Sequence, residues 1–386
     1  MRRPKLKRHC IQNGHVVLPS EVILKGTVVL AGRKIEYAGP ARATPAGAEA
    51  IDARGGYVCP GLIDCHIHGA GPNSFDPPEA RSFQAIADCL LSRGIVQHVP
   101  AMMASEEMIG GIAALIEDTG LRRRVPGLYV EGPFVNPAKR GGIQPAFVLP
   151  PDPQRIARLQ RLARGRILLM VFAPELEGAE ALPRAMRAHG ILPCVGHTLA
   201  TCQRAAEVVG RFKVNVTHLF NAMSGVHHNE PGAAVFGLIH DNAYVELNPD
   251  GAHVCPQVLK LVYRAKPVSR IVLISDAVVS AGGPPGECRY MGKAVVATEN
   301  GVYYKEEGTL VGSRLLLNQG VARFMKLAGA PVEDAVRMAS LNPAALLGLS
   351  RRKGSLEAGK DADVAVFPRS FAKARVVFFE GRRLIG

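Results

Sequence analysis

From residue 58 onward, short apolar runs of β character alternate with amphipathic stretches of helical period, and this alternation limits the chain to few folds. The runs are Leu62–His68, Gln97–Met102, Gly127–Glu131, Leu168–Ala173, Leu192–His197, Lys213–His218, Ala243–Asn248 and Ile271–Asp276. Between them Ser82–Gly94, Glu106–Gly120, Pro153–Arg164, Ala179–Gly190, Ala200–Gly210 and Pro256–Lys266 read as helices, most of them closing at a glycine. Eight such units predict an α/β fold, a (β/α)8 TIM-like barrel. The ends read differently. Val16–Leu18, Val22–Leu24, Thr27–Leu30 and Lys34–Ala38, with Asp363–Phe367 and Val376–Glu380, look like short strands between turn residues. Neither end can bury a sheet alone, so the two are expected to combine into one small β-sandwich domain. The expected division is 1–58 and 348–386 for that domain and 59–347 for the barrel.

Composition narrows the function classes. Of the 386 residues 47% are hydrophobic, enough for a large core, and there is no internal repeat or low-complexity segment. No run approaches the length of a membrane span, and the basic start Met1-Arg2-Arg3-Pro4-Lys5-Leu6-Lys7-Arg8 has no apolar segment behind it, so neither a span nor a signal peptide is expected. The eight cysteines form no C-x-x-C pair, which fits free thiols in a reducing compartment, and the cytoplasm is the expected location. A formal charge of +14 would attract anions. The charge reads first as an arginine-rich composition and second as attraction for an anionic small molecule; with no tryptophan, 5% aromatics and no basic stripe, base stacking has little material and no nucleic acid is expected.

The acids and histidines fall at the ends of the predicted strands. The first run carries Asp64-Cys65-His66-Ile67-His68, the third ends in Glu131, the fifth in His197, the sixth in His218 and the eighth in Asp276. In a barrel these ends share one mouth, so residues far apart in sequence converge there. Strand side chains alternate with period two, which puts His66 and His68 on one side, while Cys65 points away. Imidazoles and a carboxylate with an incomplete shell suit a catalytic transition metal. Any one of these histidines taken alone would be an ordinary half-buried side chain; the set reads as a metal site. Asp276 closes an apolar run, where a carboxylate needs a partner, either a water held at the metal or a structural donor. Cys65 and Cys194 read as inert buried thiols, and Glu175 as a surface or supporting residue.

The stretches Pro60–Gly69, Glu131-Gly132-Pro133-Phe134, Gly196-His197-Thr198, Thr217–Met223, Glu230-Pro231-Gly232, Asp250-Gly251-Ala252-His253, Ser275-Asp276-Ala277 and Gly308–Ser313 occur in order along the chain. Together they resemble the successive motifs of the N-acetylglucosamine-6-phosphate deacetylases, and Gly354–Asp363 resembles the return to the β domain found across the amidohydrolase superfamily. The resemblance implies that Glu131, His197 and His218 hold one metal ion and that His66 and His68, with Glu131 bridging, hold a second. Zinc is the first expectation for such donors, with iron, cobalt, nickel or manganese as alternatives. Asp276 would be the general base, Asn221, Ala222 and His253 would line the sugar and phosphate, Leu310 would join them from the Gly308–Ser313 motif, and the enzyme would be a homodimer.

Two departures concern the substrate side. The family usually carries a carbonyl-polarising histidine where this chain has Ile143, for which Gln144 is the candidate substitute. It usually has a phosphate-gripping arginine, often across a dimer interface, where this chain has Asn229, with His227 and His228 upstream as weaker donors. The expectation is a deacetylase of a phosphorylated N-acetyl amino sugar. The alternatives are an amidohydrolase of the same lineage acting on another N-acyl amine, and a catalytically silent metal- or nucleic-acid-binding protein. Asp276 argues against silence, because a structural metal site needs no base.

Overall fold

The computed structural model describes residues 7–299 and 301–386, so most of the basic start lies outside the described residues. Eight parallel strands form the barrel: β1 Leu62–Ile67, β2 Ile95–Met103, β3 Leu128–Phe134, β4 Ile167–Phe172, β5 Leu192–Val195, β6 Val214–Val216, β7 Ala243–Leu247 and β8 Ile271–Leu273. Each pairs with its sequence neighbour, and a parallel bridge between Ile67 and Ala277 links β1 to the segment after β8. The strands are apolar because both faces are covered, one by the barrel interior and one by helices. β2 is buried along its whole length.

The covering helices are α1 Ala80–Leu91, α2 Glu106–Asp118, α3 Pro153–Leu162, α4 Leu182–Ala188, α5 Cys202–Val209, α6 Ala233–Ile239, α7 Pro256–Ala265 and α8 Leu317–Ala328. Side chains fix several starts: Ser105 accepts from Met108 N, Asp152 from Gln154 N and Thr201 from Arg204 N. Sequence periodicity missed α6 and α8. The α6 segment, Ala-Ala-Val-Phe-Gly-Leu-Ile, is nearly apolar throughout and has no polar stripe to reveal a period.

Both chain ends enter one eight-stranded sheet, in which Tyr57–Pro60 pairs antiparallel with Val364–Phe367 and parallel with the strand Arg8–Val17. The N-terminal strands are longer than the sequence suggested, Arg8–Val17 against Val22–Ala31, because register shifts around Gly14 let one pairing continue past its irregularity. Gly94 shows how closely barrel and sheet approach. At φ 71° it ends the α1 turn, and a Cβ there would meet the Phe367 ring at 2.3 Å. A third sheet, Gly286–Tyr290, Lys293–Thr298, Gly301–Tyr304 and Leu310–Gly312, lies between β8 and α8 and was not read from the sequence.

His98 on β2 is fully buried, stacks on Phe75 and has no hydrogen bond at either ring nitrogen. Burial, aided by Arg124, pushes its pKa down to about 3 from 6.5. The unfolded chain therefore binds the extra proton between those values. The stabilisation is complete above pH 6.5 and is lost as pH falls toward 3. The shift corresponds to on the order of 5 kcal/mol. In urea titrations at about pH 7.5 and about pH 4.5, wild type should lose more stability on acidification than His98→Leu. Parallel losses would show that His98 does not drive the acid sensitivity.

Candidate active site

The strand ends present six side chains to one mouth. Glu131 lies within β3 and His66 within β1, with His68 one residue past its end. His197, His218 and Asp276 were read as closing strand residues, but β5, β6 and β8 end earlier, at Val195, Val216 and Leu273. All three adopt left-handed backbone, with φ of 48°, 27° and 47°. Such a conformation costs a non-glycine residue about 1–3 kcal/mol and persists only where its surroundings enforce it. Here the enforcement is visible for Asp276, whose N–H donates to His66 O at 3.0 Å and whose carbonyl accepts from Ser313 N at 2.8 Å. Asp64, whose carboxyl burial pushes up to about 6, ties the same two strands by accepting from Ser275 N.

Glu131 is the centre of the cluster. Its Oε1 lies 3.3 Å from His66 Nε2, 3.4 Å from His218 Nε2 and 3.6 Å from His197 Nε2, and its Oε2 lies 3.4 Å from His68 Nε2. Asp276 Oδ1 lies 3.4 Å from His68 Nε2 and 3.8 Å from His66 Nε2. The donors fall into two buried groups, His66–His68–Asp276 and Glu131–His197–His218. Burial raises the Glu131 and Asp276 carboxyls, but the facing histidines override it and hold both below the usual carboxylate range.

These residues fit a metal. His66 Nε2 is buried and makes no hydrogen bond, although it faces the centre of the cluster. The outer nitrogens are engaged: His66 Nδ1 lies 2.9 Å from Glu246 Oε2, and His197 Nδ1 lies 2.9 Å from Lys139 O. Such contacts orient imidazoles with the inner nitrogen free to ligate. His197 Nε2 and His218 Nε2 approach to 3.0 Å, a separation that two lone pairs tolerate only with a proton or cation between them.

A cavity of about 350 Å³ opens over the cluster, and His68, Glu131, His197, His218, Asp276, Asn221, Ala222, His253 and Leu310 line it. His66 lies behind this wall. Asn221 Nδ2 donates to His218 O, and His253 Nδ1 lies 2.7 Å from Asp250 Oδ2 with its Nε2 3.6 Å from Asp276 Oδ2. Gln144 does not line the cavity; its side chain donates to Met291 O at 3.4 Å, while Ile143 forms part of the wall. His228 and Asn229 are exposed on the loop before α6, outside the cavity.

Two carboxylates support the cluster, of which the sequence pointed to Glu175 but not to Glu246. Glu246, fully buried in β7, accepts from Asn215 Nδ2 at 2.7 Å and His218 N at 3.2 Å besides meeting His66. A glutamate inside an apolar run was the available signal. Glu175 accepts from Asn136 Nδ2, Thr198 Oγ1 and Leu199 N, tying the loop after Glu131 to the loop after His197.

A (β/α)8 barrel whose mouth gathers four imidazoles around one carboxylate, with a second carboxylate facing the cavity, defines a class of hydrolases. The sequence pattern of the Amidohydrolase family matches residues 57–383. An N-acetylglucosamine-6-phosphate deacetylase of Bacillus subtilis (strain 168) is 32% identical over 91% of this chain and 91% of its own length. An N-acetylgalactosamine-6-phosphate deacetylase of Escherichia coli O157:H7 is 31% identical over 80% of this chain and 82% of its own. Among solved structures, a mutant Mycobacterium smegmatis N-acetyl-D-glucosamine-6-phosphate deacetylase in complex with N-acetyl-D-glucosamine-6-phosphate superposes with a TM-score of 0.90 at 25% identity, covering 98% of this chain and 100% of that one. The chain belongs to the amidohydrolase family, in its N-acetylglucosamine-6-phosphate deacetylase branch. The family is metal-dependent, and the two donor groups are this chain's candidate seats for metal.

Proposed function

We propose that the protein hydrolyses the acetamide of N-acetylglucosamine 6-phosphate, or of a close N-acetyl amino sugar, to the free amine and acetate. The observation that carries this reading is Asp276 at the cavity wall, with the imidazoles of both donor groups gathered around Glu131. Glu131, His197 and His218 would hold one divalent transition metal, zinc first, and His66 and His68 with Glu131 a second; such ions lower the pKa of water and polarise an amide carbonyl. Asp276 takes the proton of the attacking water and passes it to the leaving nitrogen. Glu246 and Lys139 O hold the His66 and His197 rings with Nε2 inward. Asn221, Ala222 and His253 face the sugar. We place the enzyme in the cytoplasm as a homodimer. The unpaired cysteines support the compartment, and exposed Val226 beside His227 supports the pairing.

The phosphate contact is where this chain should differ. Among the described residues, Lys139 is the one lysine or arginine lining the cavity. A hydrogen bond to a charged group contributes roughly 1.5–3 kcal/mol, so an asparagine in place of an arginine lowers phosphate preference by about ten- to a hundred-fold. The expected kcat/KM ratio of N-acetylglucosamine 6-phosphate over N-acetylglucosamine is modest in wild type and rises in Asn229→Arg. A wild-type ratio already in the thousands and unchanged by the substitution would assign the phosphate to another residue. Inactivity on both sugars would favour the second reading, hydrolysis of an unphosphorylated N-acyl amine, to which the scarcity of cations in the cavity also points.

A further inference from the structure

The lining of the cavity over Glu131 and Asp276 is mixed: Asn221, His218 and His253 are polar, and Phe75, Met103, Ile143 and Leu310 are apolar. An N-acyl amino sugar is polar at its ring and apolar at its acyl end. On the deacetylase reading the polar residues serve the ring and the apolar ones the acyl group.

The acyl oxygen gains negative charge as its carbon becomes tetrahedral, and a fixed donor placed there contributes more than one elsewhere. Ile143, Met103 and Phe75 have no donor to offer. Tyr290 has one. It lines the same cavity, is 6% exposed, and its hydroxyl makes no hydrogen bond with any described residue. The hydroxyl is not one of the sealed polar atoms of the interior, so it opens to the cavity, where a bound group can accept from it. Tyr304, its neighbour in the same sheet, is already engaged, donating to Gly142 O at 3.4 Å.

The position is held from several sides. Tyr290 ends the strand Gly286–Tyr290, pairs with Lys293, and packs in a cluster with Val278, Val279 and Val295, just beyond Asp276. The Gln144 amide bonds Met291 O and so joins the Tyr290 turn to the Ile143 loop. Burial, reinforced by Tyr304, Glu131 and Asp276, pushes the phenol well above its ordinary pKa, so the O–H stays protonated at neutral pH.

We propose that Tyr290 is a catalytic residue whose phenol donates a hydrogen bond to the substrate's acyl oxygen. The inference rests on the deacetylase reading. Tyr290→Phe keeps the ring and its packing and removes only the donor. On N-acetylglucosamine 6-phosphate its kcat should fall by about 10²-fold, with KM within about threefold of wild type. Metal content and thermal midpoint should be unchanged. Affinity for a tetrahedral phosphonamidate analogue of the acetamide should fall by the same factor as kcat, while affinity for glucosamine 6-phosphate holds. A kcat equal to wild type, a loss confined to KM, or an unchanged analogue affinity would overturn the proposal. Wild type inactive in the same assay defeats the deacetylase reading and this inference with it; active wild type matched by Tyr290→Phe defeats the inference alone.

Discussion

Asp276→Asn should lower turnover by roughly 10²–10⁴-fold or more while KM changes little. The substitution keeps the shape of the side chain and removes its ability to accept a proton. On the proposed mechanism that ability is the essential one: Asp276 sits at the cavity wall, is held below the usual carboxylate range by His68, His66 and His253 despite its burial, and is fixed by backbone bonds to β1 and to Ser313. Its Oδ1 also lies in the group formed with His66 and His68, so elemental analysis must accompany the kinetics. Retained metal with collapsed turnover identifies a base. Loss of one equivalent together with activity would instead make Asp276 chiefly a ligand, and near-normal turnover would move the base elsewhere.

Glu131→Gln is expected to have the larger effect, because one carboxylate faces the imidazoles of both donor groups. It stands 3.3–3.6 Å from four imidazole nitrogens, and an amide offers neither its charge nor two equivalent oxygens. Wild type should purify with one to two equivalents of a transition metal, and chelation should abolish activity reversibly. In Glu131→Gln metal should drop well below one equivalent, and turnover should fall by more than about 10³-fold even with metal added back. Wild type purified gently without metal and indifferent to chelators would remove the metal assignment. Full metal content in Glu131→Gln would show that the histidines hold the ions without it.

The alternation of apolar runs and helical stretches was legible because each period follows from backbone geometry within a few residues, and Asp64-Cys65-His66-Ile67-His68, Glu131, His197, His218 and Asp276 could be placed at or just beyond the barrel strands for the same reason. What failed had no local period or depended on distant partners. The all-apolar α6 and the short strands around Tyr290 show no readable pattern. Nor could the sequence show that Gln144 would turn to Met291 O, or that Asn229 would stand exposed outside the cavity. By itself, then, the sequence determined the barrel and the set of side chains at its mouth. Tertiary structure decided the rest: the left-handed turns at His197, His218 and Asp276, the Glu246 contact that orients His66, and the hairpin that brings Tyr290 into the cavity wall. Those depend on barrel closure, which sets residues as distant as His66 and Glu246 within 2.9 Å, and no short-range pattern encodes such a distance.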